Sequence, residues 1–312
     1  MTKVMLTGAN GFVGSALISR LESRSDVRVI SAVRNGELGA DCIAVGDIHG
    51  RTDFTEALAQ VDVVIHAAAR AHIMRDEVSE PLAEYRKVNV EGTLNLARQA
   101  IAAGVRRFIF LSSIKVNGEA TVNGKKFSAR DVPAPEDAYG VSKLEAEQGL
   151  LKLSAESGME VVIIRPPLVY GPGVKGNFAS MIKLVDKGLP LPLGAIHNKR
   201  SLVGINNLVD LINRCLDHPA AANQIFLAGD DRDLSTTELL RGVGEAMGKP
   251  ARLISVPSGL LRLGAGFLGR KAIAQRLLGS LQVDISETCN QLDWQPPSTV
   301  EDGLRFCFER SH

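Results

Sequence analysis

Through the first half of the chain, short apolar runs alternate with stretches whose apolar residues recur every three or four positions. Runs at 4–7, 27–33, 42–45, 61–67, 107–112 and 161–165 are short, apolar and bounded by turn residues, the pattern of buried strands. Between them, 13–24, 54–59, 91–103 and 138–157 carry helical spacing. In 91–103 the apolar side is Leu94, Leu96, Ala97 and Ile101, and the pattern stops at Gly104; Gly158 closes 138–157 in the same way. Strands alternating with helices predict a parallel sheet covered on both faces, and right-handed crossovers make it doubly wound. The fold class is therefore α/β.

The pattern loosens after Pro166, where Pro166-Pro167, Gly171-Pro172-Gly173 and the prolines at 190 and 192 punctuate the chain. The clearest later helix is 235–247, with Ser235 placed to cap it and Glu238 at its third position. Residues 1–166 are expected to form the main unit and 167–312 chiefly a smaller lobe. Within that lobe, 207–227 reads as a helix and a strand that return to the sheet.

Composition removes several functions. The 312 residues hold 36 basic and 35 acidic side chains, so no global field draws the chain to nucleic acid. Aromatic residues make up only 4%, too few for a base-stacking surface. Cys42, Cys215, Cys289 and Cys307 are scattered, with neither metal-ligand spacing nor a disulfide framework. Scattered thiols, no signal-peptide core and no apolar run of about eighteen residues lead to the expectation of a soluble cytoplasmic protein.

Four places can carry chemistry. The turn after the first strand reads Gly8-Ala9-Asn10-Gly11-Phe12-Val13-Gly14 and opens the first helix. Its glycines allow a tight turn and close approach of a pyrophosphate to a helix N-terminus, which marks a dinucleotide-binding Rossmann sheet. The second strand ends in Val33-Arg34, without the carboxylate that usually holds the ribose of NAD. A guanidinium there can pair with the 2′-phosphate of NADP, although a solvated loop arginine fits the pattern too. NADP(H) is the favoured cofactor, NAD(H) the other. Asp47 and Ile48 follow the third strand, placed for an adenine ring, and Ala67, Ala68 and Ala69 are small enough to let the backbone close on the cofactor.

The third place is Tyr139 and Lys143, four apart on one helix face. A lysine ammonium beside a phenol favours the phenolate, so the pair suits proton transfer coupled to hydride movement. The fourth is the strand end Leu111-Ser112-Ser113, where ligands of doubly wound sheets bind and a hydroxyl can hold the same substrate oxygen as the tyrosine.

The segments TGANGFVG, GDI, IHAAA, VNVEGT, FLSS, YGVSK and IRPPLVYGPG follow in this order along nearly the whole chain. In this the chain resembles the extended short-chain dehydrogenase/reductase superfamily, and most of all its UDP-sugar 4-epimerase-like branch. The resemblance implies that Ser113, Tyr139 and Lys143 are catalytic. It implies that Asn89 supports the active-site helix and cofactor region, and that Pro166 lies near the nicotinamide. It places Asn177-Phe178 in a loop on the nucleotide and makes Arg200 a diphosphate-binding arginine, with Arg276 as the second. A homodimer is usual for the family.

Departures from the family narrow the reaction. Dehydratases carry Asp-Glu where this chain has Ile114-Lys115, so water elimination is not expected. The usual Val-Tyr-Gly is Val116-Asn117-Gly118, which makes Asn117 an altered substrate contact. The SSIKVNGE segment and the segment containing His72-Ile-Met-Arg-Asp76 resemble a bacterial subgroup of 4-ketoreductases that make UDP-N-acetylquinovosamine for surface polysaccharide. With the Val33-Arg34 strand end, this makes an NAD(P)H-dependent 4-ketoreductase of a UDP-linked sugar the first expectation. UDP-hexose or UDP-N-acetylhexosamine 4-epimerisation by the same residues is the alternative. A non-enzymatic NADP sensor is a third, against which the intact Ser/Tyr/Lys set argues. Finally, 258–281 is rich in leucine and arginine. Its leucines are expected to pack inward as lobe helices, with no membrane partner.

Overall fold

The computed structural model describes residues 1–35, 41–70, 80–122, 124–267, 269 and 271–309, the side chains of Lys271 and Ala272 excepted. In chain order the elements are β1 (Thr2–Thr7), α1 (Phe12–Glu22), β2 (Val27–Val33), β3 (Cys42–Ala44), β4 (Val63–His66), α2 (Pro81–Tyr85), α3 (Thr93–Ala102), β5 (Arg107–Leu111), α4 (Ala138–Ser157) and β6 (Glu160–Arg165). Then come β7 (Leu168–Tyr170), α5 (Asn177–Asp186), β8 (Leu202–Gly204), α6 (Ile205–Asp217), β9 (Gln224–Leu227), α7 (Thr236–Ala246), α8 (Ser258–Phe267), α9 (Lys271–Leu278), α10 (Ser286–Leu292) and α11 (Val300–Phe306).

Seven strands form one parallel sheet in the order β3-β2-β1-β4-β5-β6-β9. The order reverses between β1 and β4, so a crevice opens there at the carboxyl ends of the strands. Successive side chains leave a strand on opposite faces, which splits the core in two. Val4, Leu6, Ile109, Val162 and Ile164 pack on one face with Leu17 and Leu21 of α1 and Leu208 and Leu211 of α6. Met5, Phe108, Phe110, Val161 and Ile163 pack on the other with Leu96 of α3 and Ala146 and Leu150 of α4. A third cluster joins Tyr170, Phe178, Leu202, Leu239 and Leu304 outside the main sheet.

The helix ends follow the local chemistry. Asp137 caps α4 by accepting the Gly140 N–H at 2.7 Å, and Gly158 ends it at φ +78°, a backbone angle that favours glycine. The Ser235–Glu238 capping box on α7 is formed. Two elements depart from the sequence expectation. Residues 54–59 form turns and not a helix, since the stretch is too short to propagate and ends at Gln60 with φ +59°. Just before α3, Arg86–Gly92 is wound as a π-helix. A π-bulge re-aims side chains and often accompanies a functional site; this one carries Asn89.

Candidate active site

The glycine turn sits at the crevice. Gly8 has φ +75°, and a Cβ there would lie 2.7 Å from the Ala68 nitrogen of the β4 turn. A Cβ on Gly14 would lie 2.0 Å from the Gly8 carbonyl oxygen. Glycine at 8 and 14 is thus required for the first turn to close on itself and against the Ala67-Ala68 backbone. Helix α1 begins at Gly11 with no side-chain cap and no acidic residue in its first turn. The Gly11 N–H donates to the Gly8 carbonyl at 2.8 Å, and the next amides, of Phe12 and Val13 at the helix start beside exposed Asn10, fit a pyrophosphate.

At the end of β2, Arg34 Nε lies 2.6 Å from Asp47 Oδ1. The two residues expected to hold separate parts of the cofactor, a 2′-phosphate and an adenine amino group, are paired with each other. Both are about three-quarters exposed (75% and 72%), so the pair is weak and screened. Ile48 packs toward Gly92 of the π-helix, where a Cβ would meet its Cγ2 at 2.6 Å.

Across the crevice a cavity of about 270 Å³ is lined by Ser113, Tyr139, Lys115, Asn177, Arg200 and Arg276, with Pro167 and Leu168 at its wall. Ser113 sits at the start of a 3₁₀ turn, Ile114–Val116, and its Oγ accepts the Lys115 N–H at 3.3 Å. The Pro166 carbonyl accepts the Ile114 N–H at 3.0 Å, so Pro166 is buried behind the serine turn and its neighbour Pro167 faces the cavity. Lys115 is ion-paired with Asp137 and, at 2.9 Å, with Glu119. This ties the serine turn to the cap of the tyrosine helix.

Tyr139 is the second residue of α4 and packs edge-on against Tyr85 at 5.9 Å. Burial, with Asp137 and Tyr85 adding to it, pushes its phenol well above the usual range. Lys143 is buried; its Nζ donates to the Leu111 carbonyl at 2.8 Å and lies 4.2 Å from the centre of the Phe110 ring. Burial brings this ammonium down to about 7, against the pull of Glu147. The expected tuning of the phenol by Lys143 meets a lysine engaged with a carbonyl and a ring, and burial opposes the phenolate.

Asn89 spans the gap between β4 and α4. Its amide accepts the Arg70 N–H at 2.9 Å and donates to Ser142 Oγ at 3.0 Å. Two substrate expectations do not hold. Asn117 is buried, accepting from Arg165 Nη1 at 3.0 Å and donating to the Ser128 carbonyl at 2.9 Å, so both ends of its amide are occupied away from the cavity. Phe178 is buried against Tyr170 at 5.5 Å, because Asn177-Phe178 opens helix α5 and is no loop; only Asn177 faces the cavity. Arg200 Nη1 donates to the Arg276 and Gly279 carbonyls, both at 3.1 Å, and its partial burial disfavours the charge. An anion in the cavity would relieve that cost. The segment holding His72 to Asp76 lies outside the described residues.

Three features under the site escaped the sequence reading. His66, at the end of β4, hydrogen-bonds Thr7 Oγ1 at 2.6 Å and Thr93 Oγ1 at 2.9 Å and stacks on Phe110 at 5.8 Å. Arg165 and Glu147 form a buried bidentate pair, at 3.0 and 2.5 Å, which also takes in Ser112. Lys115 is the third, through its link to Asp137. The first two had a signal: a histidine in an apolar strand, and for the pair a charge at a strand end and a glutamate four residues after Lys143 on the same helix face.

Burial, and then the charge of Lys143, lowers the His66 pKa from 6.5 to about 3. The unfolded chain therefore binds a proton that the fold refuses, and the stability this holds at neutral pH falls as pH drops below 6.5. The expected loss is about 2 kcal/mol on going from about pH 7 to about pH 5. Lys143 contributes in a separate, higher window, from about 7 up to 10.5, where stability rises with pH. Urea unfolding of wild type and His66→Gln at the two acidic-side pH values checks this: the variant should show a clearly flatter dependence, and equal slopes would refute the assignment.

A doubly wound sheet with a glycine turn at its switch point, and a Ser/Tyr/Lys group beside it, defines an enzyme of the nicotinamide-dinucleotide class. The chain belongs to the NAD dependent epimerase/dehydratase family, which it matches over residues 4–229. The expected superfamily and its epimerase-like branch are thereby supported, whereas the 4-ketoreductase subgroup is not distinguished. The chain is 54% identical to a UDP-glucose 4-epimerase of Vibrio cholerae over 305 residues, covering 97% of this chain and 93% of that protein. Among solved structures it shares its fold with UDP-glucuronic acid 4-epimerase from Bacillus cereus in complex with NAD, at a TM-score of 0.78 and 22% identity over 98% of this chain and 97% of that one. It shares it also with RMD from Pseudomonas aeruginosa complexed with NADPH, at 0.76 and 20%, over 98% of each chain. Among the described residues no helix is long and apolar enough to cross a membrane, and no group of three His, Cys, Asp or Glu is placed to hold a metal ion.

Proposed function

We propose that this chain is a UDP-hexose or UDP-N-acetylhexosamine 4-epimerase that retains NAD. The observation that carries the reading is the 54% identity to a UDP-glucose 4-epimerase across 97% of the chain, a span that includes the Ser113, Tyr139 and Lys143 group. This moves the conclusion from the ketoreductase first expected to its alternative. Gly8 to Gly14 and the uncapped start of α1 would hold the pyrophosphate, with Ala67–Ala69 closing over it. The Asp47 carboxylate beside Arg34 disfavours a 2′-phosphate there, which supports NAD over NADP.

When bound, oxidised NAD supplies the hydride acceptor for C4 of the sugar and a positive charge near the phenol. Tyr139 Oη takes the proton from the C4 hydroxyl and later returns it to the C4 oxygen. Ser113 Oγ donates a hydrogen bond to that oxygen, and Lys143 holds the strand end that positions the helix. Arg200 and Arg276 face the diphosphate, and Asn177 the nucleotide. Because the hydride would return to C4 and the proton to its oxygen, no cofactor is consumed. The homodimer expected for the family belongs to the same proposal.

Reduction of a 4-keto nucleotide sugar is the second reading, favoured by the carboxylate-free end of β2. The two separate in one experiment. Given UDP-glucose or UDP-GlcNAc and no added cofactor, the purified enzyme should form the C4 epimer, with no net change at the nicotinamide absorbance. No epimer in that tube, with stoichiometric NADPH oxidation on a UDP-4-keto-6-deoxy-GlcNAc substrate in a second, would replace epimerisation by reduction.

A further inference from the structure

Only part of the apolar surface of α8 and α9 packs inward as its sequence suggested: Leu278 is buried, and Leu261 and Leu277 are half-buried. Leu260, Leu263 and Phe267 are each more than half exposed, Phe267 at 92%, and no residue of α8 is buried. Their spacing of three and four puts them on one stripe of the helix. Ile273 of α9 and the neighbouring Ile254 are likewise more than half exposed. Of the ten large hydrophobic side chains exposed among the described residues, seven lie between Leu184 and Ile273. Behind the stripe, Leu193, Leu261, Ala265, Ala274 and Leu277 line an apolar groove of about 390 Å³. A patch of this kind marks an interaction surface.

The charge along this stretch of sequence is one-sided. Between residues 246 and 283 the sequence has six Lys or Arg, at 249, 252, 262, 270, 271 and 276, and no Asp or Glu. The whole chain carries only +1, so this stretch holds a local excess that the rest cancels. Lys249 pairs with Asp186 at 2.5 Å from outside the stretch. An apolar stripe in a segment rich in cations and free of carboxylates suits an anionic surface, and it disfavours a second copy, which would bring like charge against like. A bilayer supplies both parts, acyl boundary for the stripe and headgroup charge for the cations. Helix α9 also joins this surface to the catalytic cavity: Arg276 lines the cavity, and Ile273, Ala274 and Leu277 line the groove.

We propose that the α8–α9 hairpin is a docking element that lays its apolar stripe on an anionic lipid bilayer and holds the catalytic cavity beside the membrane surface. The test is co-sedimentation of the full chain with vesicles of phosphatidylcholine alone, and with vesicles of equal parts phosphatidylcholine and phosphatidylglycerol. Binding to the anionic vesicles should be at least about tenfold stronger and should weaken with salt. The variant Leu263→Ser/Phe267→Ser should lose at least about tenfold of that binding with unchanged circular dichroism and unfolding midpoint, since both side chains are exposed. Either no binding to anionic vesicles, or binding untouched by the double substitution, would overturn the proposal. So would concentration-dependent self-association that the same substitutions abolish, because it would assign the stripe to a second copy. The vesicle readout does not depend on turnover, so it stands or falls apart from the epimerase reading.

Discussion

Tyr139→Phe is expected to lower turnover at least about a hundredfold, the scale on which a positioned acid–base group acts, and to leave dinucleotide retention largely intact. The phenol lines the cavity with Ser113, whereas the ring packs edge-on against Tyr85. Phenylalanine keeps the ring contact and removes only the hydroxyl. The same oxygen takes and then gives the proton, so the loss should appear in both directions of the reaction. Burial raises this phenol, and the positive charge of a bound oxidised dinucleotide would favour the phenolate that takes the proton. The checks are turnover with UDP-glucose and UDP-GlcNAc, and nicotinamide absorbance of the purified variant. Wild-type turnover in a variant with normal unfolding would remove Tyr139 from its role. Loss of the dinucleotide together with activity would instead make the hydroxyl a binding group.

The sheet was legible because its signals are local. Alternation of short apolar runs with helical spacing gave the strands from Val4 to Arg165, and Gly104 and Gly158 gave two helix ends. The glycine turn was legible for the same reason, since Gly8 and Gly14 are needed by backbone geometry within a few residues. What was not legible depends on residues far apart in sequence. Nothing near Asn117 tells that Arg165, at the end of β6, occupies its amide, and nothing near Phe178 tells that Tyr170 covers it. The Arg34–Asp47 pair joins two strand ends that only the sheet order brings together. Lys143 shows the other limit. Helical spacing set it on the face of Tyr139, but its ammonium is taken by the Leu111 carbonyl, which belongs to a different element.

The largest effect on stability is expected at the floor of the site. Arg165 and Glu147 are almost fully buried, and the guanidinium takes the carboxylate with two donors while a third reaches Asn117. Ser112 donates to the same carboxylate, so strand end, serine turn and tyrosine helix meet at one ion pair. Removing one partner leaves an uncompensated charge away from water. Glu147→Leu or Arg165→Met alone should therefore cost about 3–5 kcal/mol. The double variant should cost clearly less than either single one, because it removes both desolvated charges together and fills the space with apolar side chains. Urea unfolding of the three variants makes a double-mutant cycle that isolates the pair. Additive losses would mean that the two groups act independently and that the pair does not hold the site together. Strong coupling, with turnover partly restored in any double variant that folds, would show that α4 needs these groups for the position of Tyr139 and Lys143 and not for their charge.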